Sequence, residues 1–370
     1  MDAPVRVLHV LGRLDICGAE TLVMNIYRNI DRTKVQFDFM LHTGDKCAYE
    51  SEVAALGGEI FRIPAYKALN HFKYKSEWRK FFKNNSAHKI IHGHMTSTAA
   101  IYLKIAKKHG LTAVSHAHNT SSGRDLTAKI KDIMQLPIKN TADYLFACSK
   151  AAGIWCYGRN IGERPDFKVV NNAIDAEKFI FDPFIRELKR KELGLENKFV
   201  ICHVGRFEVQ KNHSFLIDIF KEIYEKNHNA VLLLTGEGPL RGDIEKKAES
   251  LNLKDNVIFT GVCSDIPDLL CAADVFLFPS LWEGLGIVLI EAQASGLHCI
   301  ASDVVPEEAK ITGLLEYVSL DKPASYWAEK VLSYDCGYER KNMRDGIKNA
   351  GYDIKEGSKR LEDFYLCAGV

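Results

Sequence analysis

The sequence predicts an α/β protein made of two doubly wound domains. At 370 residues, the chain exceeds the size at which a single hydrophobic core usually keeps growing. Short apolar strands alternate with amphipathic helical segments, which is typical of a parallel sheet covered by helices. The alternation stops over a charged, irregular stretch and resumes at Phe199. We therefore expect one domain on each side of that stretch.

The predicted first domain covers residues 1–175. Two segments with helical spacing, Ala19–Ile30 and Glu50–Leu56, alternate with its first strands. Its apolar runs predict strands at Val5–Leu11, Val35–Leu41, Glu59–Ile63, Lys89–His92, Ala113–His116 and Tyr144–Cys148.

A predicted linker, residues 176–196, leads to the second domain at residues 197–350. The composition of Ser325–Phe364 favours helix, and residues 351–370 are predicted as a C-terminal helix. This helix either closes the second domain or returns to the first. The second domain's apolar runs predict strands at Phe199–Val204, Ala230–Thr235, Val257–Thr260, Val275–Pro279 and Cys299–Ser302.

The composition argues against membrane-spanning, secreted and metal-thiolate proteins. No apolar run reaches the roughly 20 residues needed to span a bilayer, and the N-terminal residues lack the apolar core of a signal peptide. We therefore expect a cytoplasmic protein. The ten cysteines include no Cys-x-x-Cys pair. Most of them, such as Cys148, Cys202, Cys271 and Cys299, lie in apolar runs, which predicts buried, reduced thiols.

The loop Gly12–Glu20, after the first strand, suits phosphate binding. Gly18 allows the backbone to approach a ligand, and the helix that follows offers free N–H groups at its positive dipole end. The loop lacks the Gly-x-Gly-x-x-Gly pattern, so a dinucleotide site is not predicted. A plain strand-to-helix turn is the alternative.

Two cations follow the first strand of the second domain. Arg206 and Lys211 lie where open α/β sheets bind ligands, and they could stabilise a departing diphosphate. Two solvated surface cations are the alternative. After the next strand, Gly236 and Gly238 form either a turn that lines the same crevice or a purely structural turn.

The segment from Glu283 to Glu291 is the strongest candidate for a sugar-binding element. Glu283 lies in a glycine-flanked loop, and Glu291 lies about two turns into the predicted helix. A carboxylate in so apolar a stretch costs free energy unless it accepts hydrogen bonds, which ribose and hexose hydroxyls can donate. The alternative is a buried structural glutamate paired with a nearby arginine.

Histidines cluster after two strands of the first domain, at His92 and His94 and at His116 and His118. Imidazole is a common metal ligand, but no carboxylate or cysteine lies close by in the sequence. We therefore predict no metal and expect these residues to form a polar wall of the active site. Structural histidines with satisfied hydrogen bonds are the alternative.

The first 170 residues carry an excess of Lys and Arg, whereas Asp and Glu prevail in the remainder. Basic and apolar residues lie together in Tyr66–Lys89 (Lys67, Lys73, Lys75, Arg79, Lys80, Lys83 and Lys89 with Phe72, Tyr74, Trp78, Phe81 and Phe82). A second run, Arg124–Lys139, includes Lys129, Ile130, Lys131, Ile133, Met134 and Leu136. Such segments suit contact with an anionic inner-membrane surface. An ordinary amphipathic helix is the alternative, and nucleic acid is not expected, because no recognised motif accompanies the charge.

With these residues in order, the chain resembles the retaining glycosyltransferases of family 4 (glycosyltransferase group 1), above all their capsule and exopolysaccharide members. The resemblance covers nearly the whole length. It rests on Gly18-Ala19-Glu20, His118-Asn119, Ala147-Cys148-Ser149, Asn172 to Phe179, Gly205-Arg206, Lys211-Asn212, Gly236-Glu237-Gly238 and the E-x7-E pair Glu283 and Glu291. It implies the GT-B fold, in which two Rossmann-like domains face each other across a cleft.

The resemblance also implies a role for each matching residue. The catalytic group would be His118, Arg206, Lys211 and Glu283. Arg206 and Lys211 would hold the donor diphosphate, Glu283 the transferred sugar, and Glu291 the ribose. The donor-binding positions would be Gly18, Gly205, Gly236, Gly238, Gly284, Leu285, Gly286 and Glu291.

The implied reaction moves a hexose or N-acetylhexosamine from a nucleotide-sugar, expected to be a UDP-sugar, to a saccharide or lipid-linked acceptor. No metal or cofactor is expected, because cationic side chains and helix dipoles would neutralise the diphosphate. The chain departs from the family's pattern at Cys17, Ala173 and His298, and none of these changes removes a charged contact. A sugar-nucleotide epimerase of similar fold and a non-catalytic nucleotide-sugar-binding protein remain as alternatives.

Overall fold

The computed structural model describes residues 3–119, 126–263 and 265–369, with the backbone alone for residues 126–128. The chain divides into two compact units. One unit comprises Met1–Ala173 with Asp353–Val370, and the other comprises Ile174–Tyr352. Each unit contains a parallel sheet with helices, so the predicted α/β architecture is confirmed.

The first unit has a seven-stranded sheet in the order β3-β2-β1-β4-β5-β6-β7, and every pairing is parallel. The order reverses at β1, so the carboxyl ends of β1 and β4 lie side by side, at the point where doubly wound sheets bind ligands. The strands are β1 (Val5–Leu11), β2 (Val35–Leu41), β3 (Ile60–Arg62), β4 (His88–Gly93), β5 (Thr112–Ala117), β6 (Tyr144–Ala147) and β7 (Phe167–Val169).

Helices connect these strands, as parallel pairing requires. Their apolar residues meet the sheet in cores that include the fully buried Trp78 and Tyr27. The helices are α1 (Gly18–Asn29), α2 (Glu50–Ala55), α3 (His71–Asn84), α4 (Thr96–Lys108), α5 (Leu126–Gln135) and α6 (Lys150–Tyr157).

The second unit repeats the arrangement in a six-stranded parallel sheet of order β10-β9-β8-β11-β12-β13, which reverses at β8. Its strands are β8 (Phe199–Val204), β9 (Ala230–Thr235), β10 (Val257–Gly261), β11 (Val275–Phe278), β12 (His298–Ser302) and β13 (Leu315–Val318). Its helices are α7 (Pro183–Leu193), α8 (His213–Lys226), α9 (Arg241–Ser250), α10 (Ile266–Ala272), α11 (Ile287–Ala294), α12 (Ala324–Leu332) and α13 (Arg344–Asn349).

The prediction of an irregular linker at residues 176–196 is wrong, because α7 occupies its centre and belongs to the second unit. The helix has local start and stop signals. The side chain of Asp182 accepts hydrogen bonds from two amides of the first turn, Pro183 is the first helical residue, and Gly194 ends the helix with a φ of 67°.

Charged side chains join α7 to the sheet of the second unit. Arg186 and Arg190 both donate to the carboxylate of Asp274, which immediately precedes β11. Asp274 also accepts from the amide of Val200 in β8. The charges that indicated a solvated linker are therefore the contacts that hold α7 against the sheet.

The C-terminal residues Asp353–Val370 belong to the first unit. They form α14 (Ile354–Ala368), which packs against α1. The buried Tyr365 reaches the sheet through a 2.6 Å hydrogen bond between its hydroxyl and His92 Nδ1. The carboxylate of Glu362 accepts from the backbone N–H of Asp31 at 2.9 Å. The chain thus completes the second sheet before its last helix packs in the first unit.

Candidate active site

Two loops meet at the carboxyl edge of the second sheet, one after β8 and one after β11. The amide of Leu281 donates to the carbonyl of Gln210 at 2.8 Å, and the Gln210 side chain donates to the carbonyl of Trp282 at 2.8 Å. The Asn212 side chain donates to the carbonyl of Pro279 at 3.1 Å. Because β8 and β11 are neighbours at the reversal of strand order, these loops form one continuous edge.

Lys211 and Glu283 form an ion pair on this edge, with Nζ 2.6 Å from Oε1. The Glu283 side chain is 6% exposed and that of Lys211 is 17% exposed. The ammonium also lies 4.7 Å from the centre of the Phe278 ring, within the range of a cation–π contact. The structure therefore brings two predicted site residues together as a largely desolvated pair.

Arg206 lies on the same loop as Lys211 but has a different environment. Its side chain is 70% exposed and its guanidinium lies 2.9 Å from the carboxylate of Glu208. An exposed ion pair of this kind holds its partners weakly. The Arg206 guanidinium is thus accessible to an anionic ligand, whereas the Lys211 ammonium already has an anionic partner.

Glu291 lies in the second turn of α11, which begins after Gly286 in the left-handed conformation with a φ of 77°. Burial raises the pKa of the Glu291 carboxyl to about 7, because the charged form loses hydration there. Within the part of the chain that the structure describes, this carboxylate has no hydrogen-bond or ion-pair partner. It is therefore available to accept hydrogen bonds from a ligand.

The predicted donor-binding glycines fall into two groups. A Cβ on Gly236 would lie 2.1 Å from the carbonyl oxygen of Gly205, and one on Gly238 would lie 2.6 Å from that of Phe207. These positions must be glycine so that the loops after β8 and β9 can pack backbone to backbone. A Cβ on Gly284 would meet nothing within 4 Å, so packing does not require glycine there.

Leu285 and Gly18 complete the predicted binding positions. The Leu285 side chain belongs to the hydrophobic core, so only its backbone is available to a ligand. Gly18 is the first residue of α1 in the first unit, and a Cβ there would meet nothing within 4 Å. The same loop contains Arg13, whose guanidinium lies 2.6 Å from the carboxylates of Asp15 and Asp45.

In the first unit, five histidines form two hydrogen-bonded series at the carboxyl edge of the sheet. His9 Nδ1 lies 3.0 Å from His94 Nε2, and His94 Nδ1 lies 2.8 Å from His118 Nε2. His116 Nδ1 lies 3.2 Å from His92 Nε2, and His92 Nδ1 bonds to the hydroxyl of Tyr365.

Burial keeps these imidazoles uncharged, because desolvation disfavours the imidazolium. It lowers the pKa of His9 to about 3 and that of His118 to about 4, and it lowers the pKa values of the other three as well. His92 and His116 are each 1% exposed. The predicted polar wall is therefore limited to His94 and His118, which are partly exposed.

The spacing of these histidines is compatible with metal binding. Ring nitrogens of His9, His92 and His94, and of His94, His116 and His118, lie within 4.8 Å of one another. Both groups consist of neutral imidazoles alone, with no carboxylate or thiolate to offset the charge of a cation. The absence of a metal stays a prediction.

Two members of this network, His9 and Tyr365, are not among the residues predicted from the sequence. His9 lies on β1 at the end of the sheet that carries the other histidines, so its position on a predicted strand was an available signal. Tyr365 had no such signal, because only the return of α14 to the first unit brings it to His92.

The basic segments of the first unit present apolar side chains only in part. Tyr74, Trp78 and Phe82 of α3 are buried and belong to the core, whereas Phe72 is 84% exposed. On α5, Ile130 and Ile133 are also exposed. Arg124 lies outside the described residues. Among the described residues, no helix combines the length and apolar character needed to cross a bilayer.

Comparison with known proteins identifies relatives along the whole chain. The family described as Glycosyl transferases group 1 matches residues 185–326. A protein of Bacillus subtilis named as the glycosyltransferase EpsF is 35% identical over 370 residues, which cover 97% of this chain and 96% of EpsF. The capsular polysaccharide biosynthesis glycosyltransferase CapH of Staphylococcus aureus is 24% identical, with 98% of this chain and 99% of CapH covered.

Two further proteins are similar in sequence or in fold. The UDP-Gal:alpha-D-GlcNAc-diphosphoundecaprenol alpha-1,3-galactosyltransferase of Escherichia coli is 28% identical over 82% of this chain and 78% of its own length. The crystal structure of Anabaena HepE in complex with UDP superposes with a TM-score of 0.76 at 17% identity, covering 98% of this chain and 99% of HepE. These comparisons confirm the predicted fold and enzyme class. The chain belongs to the group 1 glycosyltransferase family and is a glycosyltransferase with the GT-B fold.

Proposed function

We propose that this protein is a retaining glycosyltransferase that transfers a hexose or N-acetylhexosamine from a UDP-sugar to a saccharide or lipid-linked saccharide during capsule or exopolysaccharide synthesis. The observation that carries the proposal is the edge of the second sheet, where Lys211 and Glu283 form an ion pair. Glu291 lies on α11, the helix that follows the loop of Glu283. The E. coli relative, named for a UDP-galactose donor and a diphosphoundecaprenol acceptor, supports the choice of substrates. The name of CapH supports the biosynthetic role.

The ion pair suggests how a donor is received. In the free protein the charges of Lys211 and Glu283 compensate each other at 2.6 Å, which limits the cost of their burial. A diphosphate would attract the ammonium and the exposed Arg206, and it would leave the Glu283 carboxylate free to accept hydrogen bonds from sugar hydroxyls. The two cations would then stabilise negative charge on the leaving nucleotide without a metal.

The remaining residues would position the donor. Glu291 would accept hydrogen bonds from the ribose hydroxyls, because its carboxylate lacks a partner among the described residues. The amides of Leu285 and Gly286 would contact the sugar or phosphate. In the first unit, Gly18 would allow a close backbone approach, and His118 would contact the transferred sugar and its phosphate.

A donor panel tests this proposal. The protein is incubated with UDP- and GDP-sugars and a diphosphate-lipid-linked saccharide, and nucleotide release and product anomeric configuration are measured. We expect acceptor-dependent UDP release with retention, and a loss of about a hundredfold or more in Glu291→Ala and Lys211→Ala. Glu249→Ala and Lys254→Ala, which alter an exposed ion pair of the same unit, are the matched controls. Unchanged turnover in both site variants would refute the site assignment.

The proposal includes contact of the first unit with an anionic membrane surface. Exposed Leu69 and Phe72 lie among the lysines of the α3 region, and exposed Ile130 and Ile133 lie beside Lys129 and Lys131 on α5. Apolar insertion combined with cationic attraction is how peripheral proteins hold such surfaces.

Vesicle flotation tests the membrane contact. The protein is expected to float with phosphatidylglycerol-rich vesicles at low salt and not with phosphatidylcholine vesicles. Phe72→Asp combined with Ile133→Asp should abolish flotation. Val262→Asp, at a similarly exposed apolar position of the second unit, should not change it. Equal flotation of all three proteins would contradict the proposed surface.

A further inference from the structure

Three histidines of the first unit form a continuous series that ends at a predicted site residue. We call His9, His94 and His118 the histidine chain. Its two hydrogen bonds, of 3.0 and 2.8 Å, use both ring nitrogens of His94. The histidine chain runs from the nearly fully buried ring of His9 on β1 to the partly exposed ring of His118, which follows β5.

Hydrogen-bond chemistry couples the proton positions along this chain. A neutral imidazole has one N–H donor and one acceptor nitrogen. Since His94 uses both of its nitrogens, it must donate to one neighbour and accept from the other. Only two arrangements satisfy both bonds: protons directed from His9 towards His118, or protons directed from His118 towards His9.

The buried end of the chain distinguishes the two arrangements. His9 Nε2 is buried without a hydrogen-bond partner among the described residues. If His118 donated inwards, this nitrogen would carry an N–H with no acceptor, and orphaned buried N–H groups are rarer in native proteins than unsatisfied acceptors. The arrangement in which His9 Nδ1–H donates to His94, and His94 Nδ1–H donates to His118 Nε2, avoids that N–H.

We propose that His9 and His94 are positioning residues that hold His118 in its Nδ1–H tautomer, so that His118 donates a hydrogen bond to an oxygen of the nucleotide-sugar. Nε2 is occupied by His94, and Nδ1 makes no hydrogen bond with the described residues, which leaves its proton for a ligand. The tautomer of His118 follows from the hydrogen bonds of the histidine chain alone, whereas the contact of His118 with the donor rests on the proposed function.

The inference gives His118 a defined chemical role. An imidazole whose outward nitrogen carries a proton while the ring is neutral can donate to a phosphate or hydroxyl oxygen, but it cannot accept a proton at that nitrogen. His118 therefore does not act as the base that deprotonates the acceptor. It supplies a fixed dipole directed at the donor, which costs no reorganisation during the reaction.

The distances favour hydrogen bonds over a metal in this chain. Nitrogens that share a tetrahedral zinc ion at the usual bond lengths lie about 3.3 Å apart. The 2.8 Å separation of His94 Nδ1 and His118 Nε2 is shorter and matches a hydrogen bond. Since a bound metal would replace these hydrogen bonds, the experiment below includes a chelator that would reveal one.

Nitrogen NMR of histidine-labelled full-length protein reads the tautomer directly. Long-range proton–nitrogen spectra of the wild type, with and without a chelator, should show His118 as a single Nδ1–H tautomer in both samples. His94→Leu should release His118 into a mixture of tautomers, whereas His94→Asn, which keeps a donor near the position of Nδ1, should preserve the single form. His92→Gln, at a buried histidine of the parallel series, is the control and should leave the His118 spectrum unchanged.

Turnover of a UDP-sugar donor gives the second readout. Because only a fraction of a released His118 would have the productive tautomer, kcat should fall about three- to tenfold in His94→Leu with little change in KM. His94→Asn should recover kcat to within about twofold of the wild type.

Several results would overturn the inference. They are a wild-type His118 with its proton on Nε2, a spectrum that changes on chelation, or an unchanged tautomer in His94→Leu. The wild-type spectra determine the direction of the hydrogen bonds in the histidine chain even if a variant fails to fold. Full turnover in His118→Ala would instead refute the contact with the donor and leave the tautomer assignment standing, which separates the two proposals.

Discussion

The carboxyl edges of the two sheets have the same topological position but carry different polar groups. In the second unit the edge carries ionisable groups: the Lys211–Glu283 pair, the exposed Arg206, and Glu291, which has no partner among the described residues. In the first unit the corresponding edge carries neutral imidazoles that bond to one another. Both sheets reverse their strand order at this edge.

The difference shows how two similar sheets can serve different purposes. Paired charges can be separated by a charged ligand, and under the proposed function the donor diphosphate would replace the internal ion pair of the second unit. Neutral rings held by mutual hydrogen bonds keep fixed directions and do not titrate near pH 7. The first unit therefore presents hydrogen-bonding groups of fixed direction, whereas the second presents charged groups that compensate one another.

The largest expected effect is the loss of the buried charge pair. Lys211→Met leaves the Glu283 carboxylate unpaired, so urea unfolding should show a loss of about 3–5 kcal/mol. Lys211→Met combined with Glu283→Gln should recover most of that stability and remain inactive. Lys254→Met, which breaks an exposed pair with Glu249, should cost less than about 1 kcal/mol. Equal stability of the single and double site variants would show that the pair is not desolvated.

Replacing glycines in the second unit distinguishes those that loop packing requires from those that a bound ligand would require. Gly236→Ala places a Cβ against the carbonyl of Gly205 at a φ of 138°, and thermal or urea unfolding should show a loss of about 3 kcal/mol. Gly284→Ala, which has open space, should change stability by less than about 1 kcal/mol. A donor-binding role of Gly284 predicts weaker UDP-sugar affinity in that variant. A stable Gly236→Ala protein would contradict the packing of the two loops.

The carboxyl of Glu291 should make stability depend on pH. Burial raises its pKa from 4.5 to about 7, so the folded protein binds an additional proton between these values. Stability therefore falls as pH rises through this window. Glu291→Gln should match the wild type near pH 4 and exceed it by about 2–3 kcal/mol at pH 8.

Parallel urea titrations at the two pH values check the Glu291 prediction. Saturating UDP should reduce the difference in stability between Glu291→Gln and the wild type at pH 8, because ribose hydroxyls would donate hydrogen bonds to the wild-type carboxylate. The absence of any difference at pH 8 would mean that the carboxylate is hydrated in the free protein.

Loss of a hydrogen bond among the neutral histidines of the first unit should give the smallest change in stability. Tyr365→Phe removes the partner of His92 Nδ1, and the loss in urea unfolding should be about 1 kcal/mol. The exposed Tyr326→Phe is the control and should have no measurable effect. A loss for Tyr365→Phe as large as that for Lys211→Met would remove the distinction between the charged and neutral edges.

Much of the fold was predictable because its signals are local. The apolar runs of the sheets fixed strands such as Val35–Leu41 and Ala230–Thr235 with their observed bounds. The short edge strands β7 and β13 were missed, since three or four residues with partial exposure carry little pattern. The cap signals of α7 are present in the sequence, but the high charge of the segment favours a solvated linker over a helix packed on the sheet.

The sequence by itself determined the strand alternation, the family resemblance and the residues that we propose for the chemistry of the second unit. Only the tertiary structure decided that Lys211 and Glu283, 72 positions apart, form an ion pair. It also decided that Tyr365 meets His92 and that His9 joins His94 and His118. The reason is physical: periodicity records which face of an element is buried, whereas partners on different strands meet only when strand order and register are set.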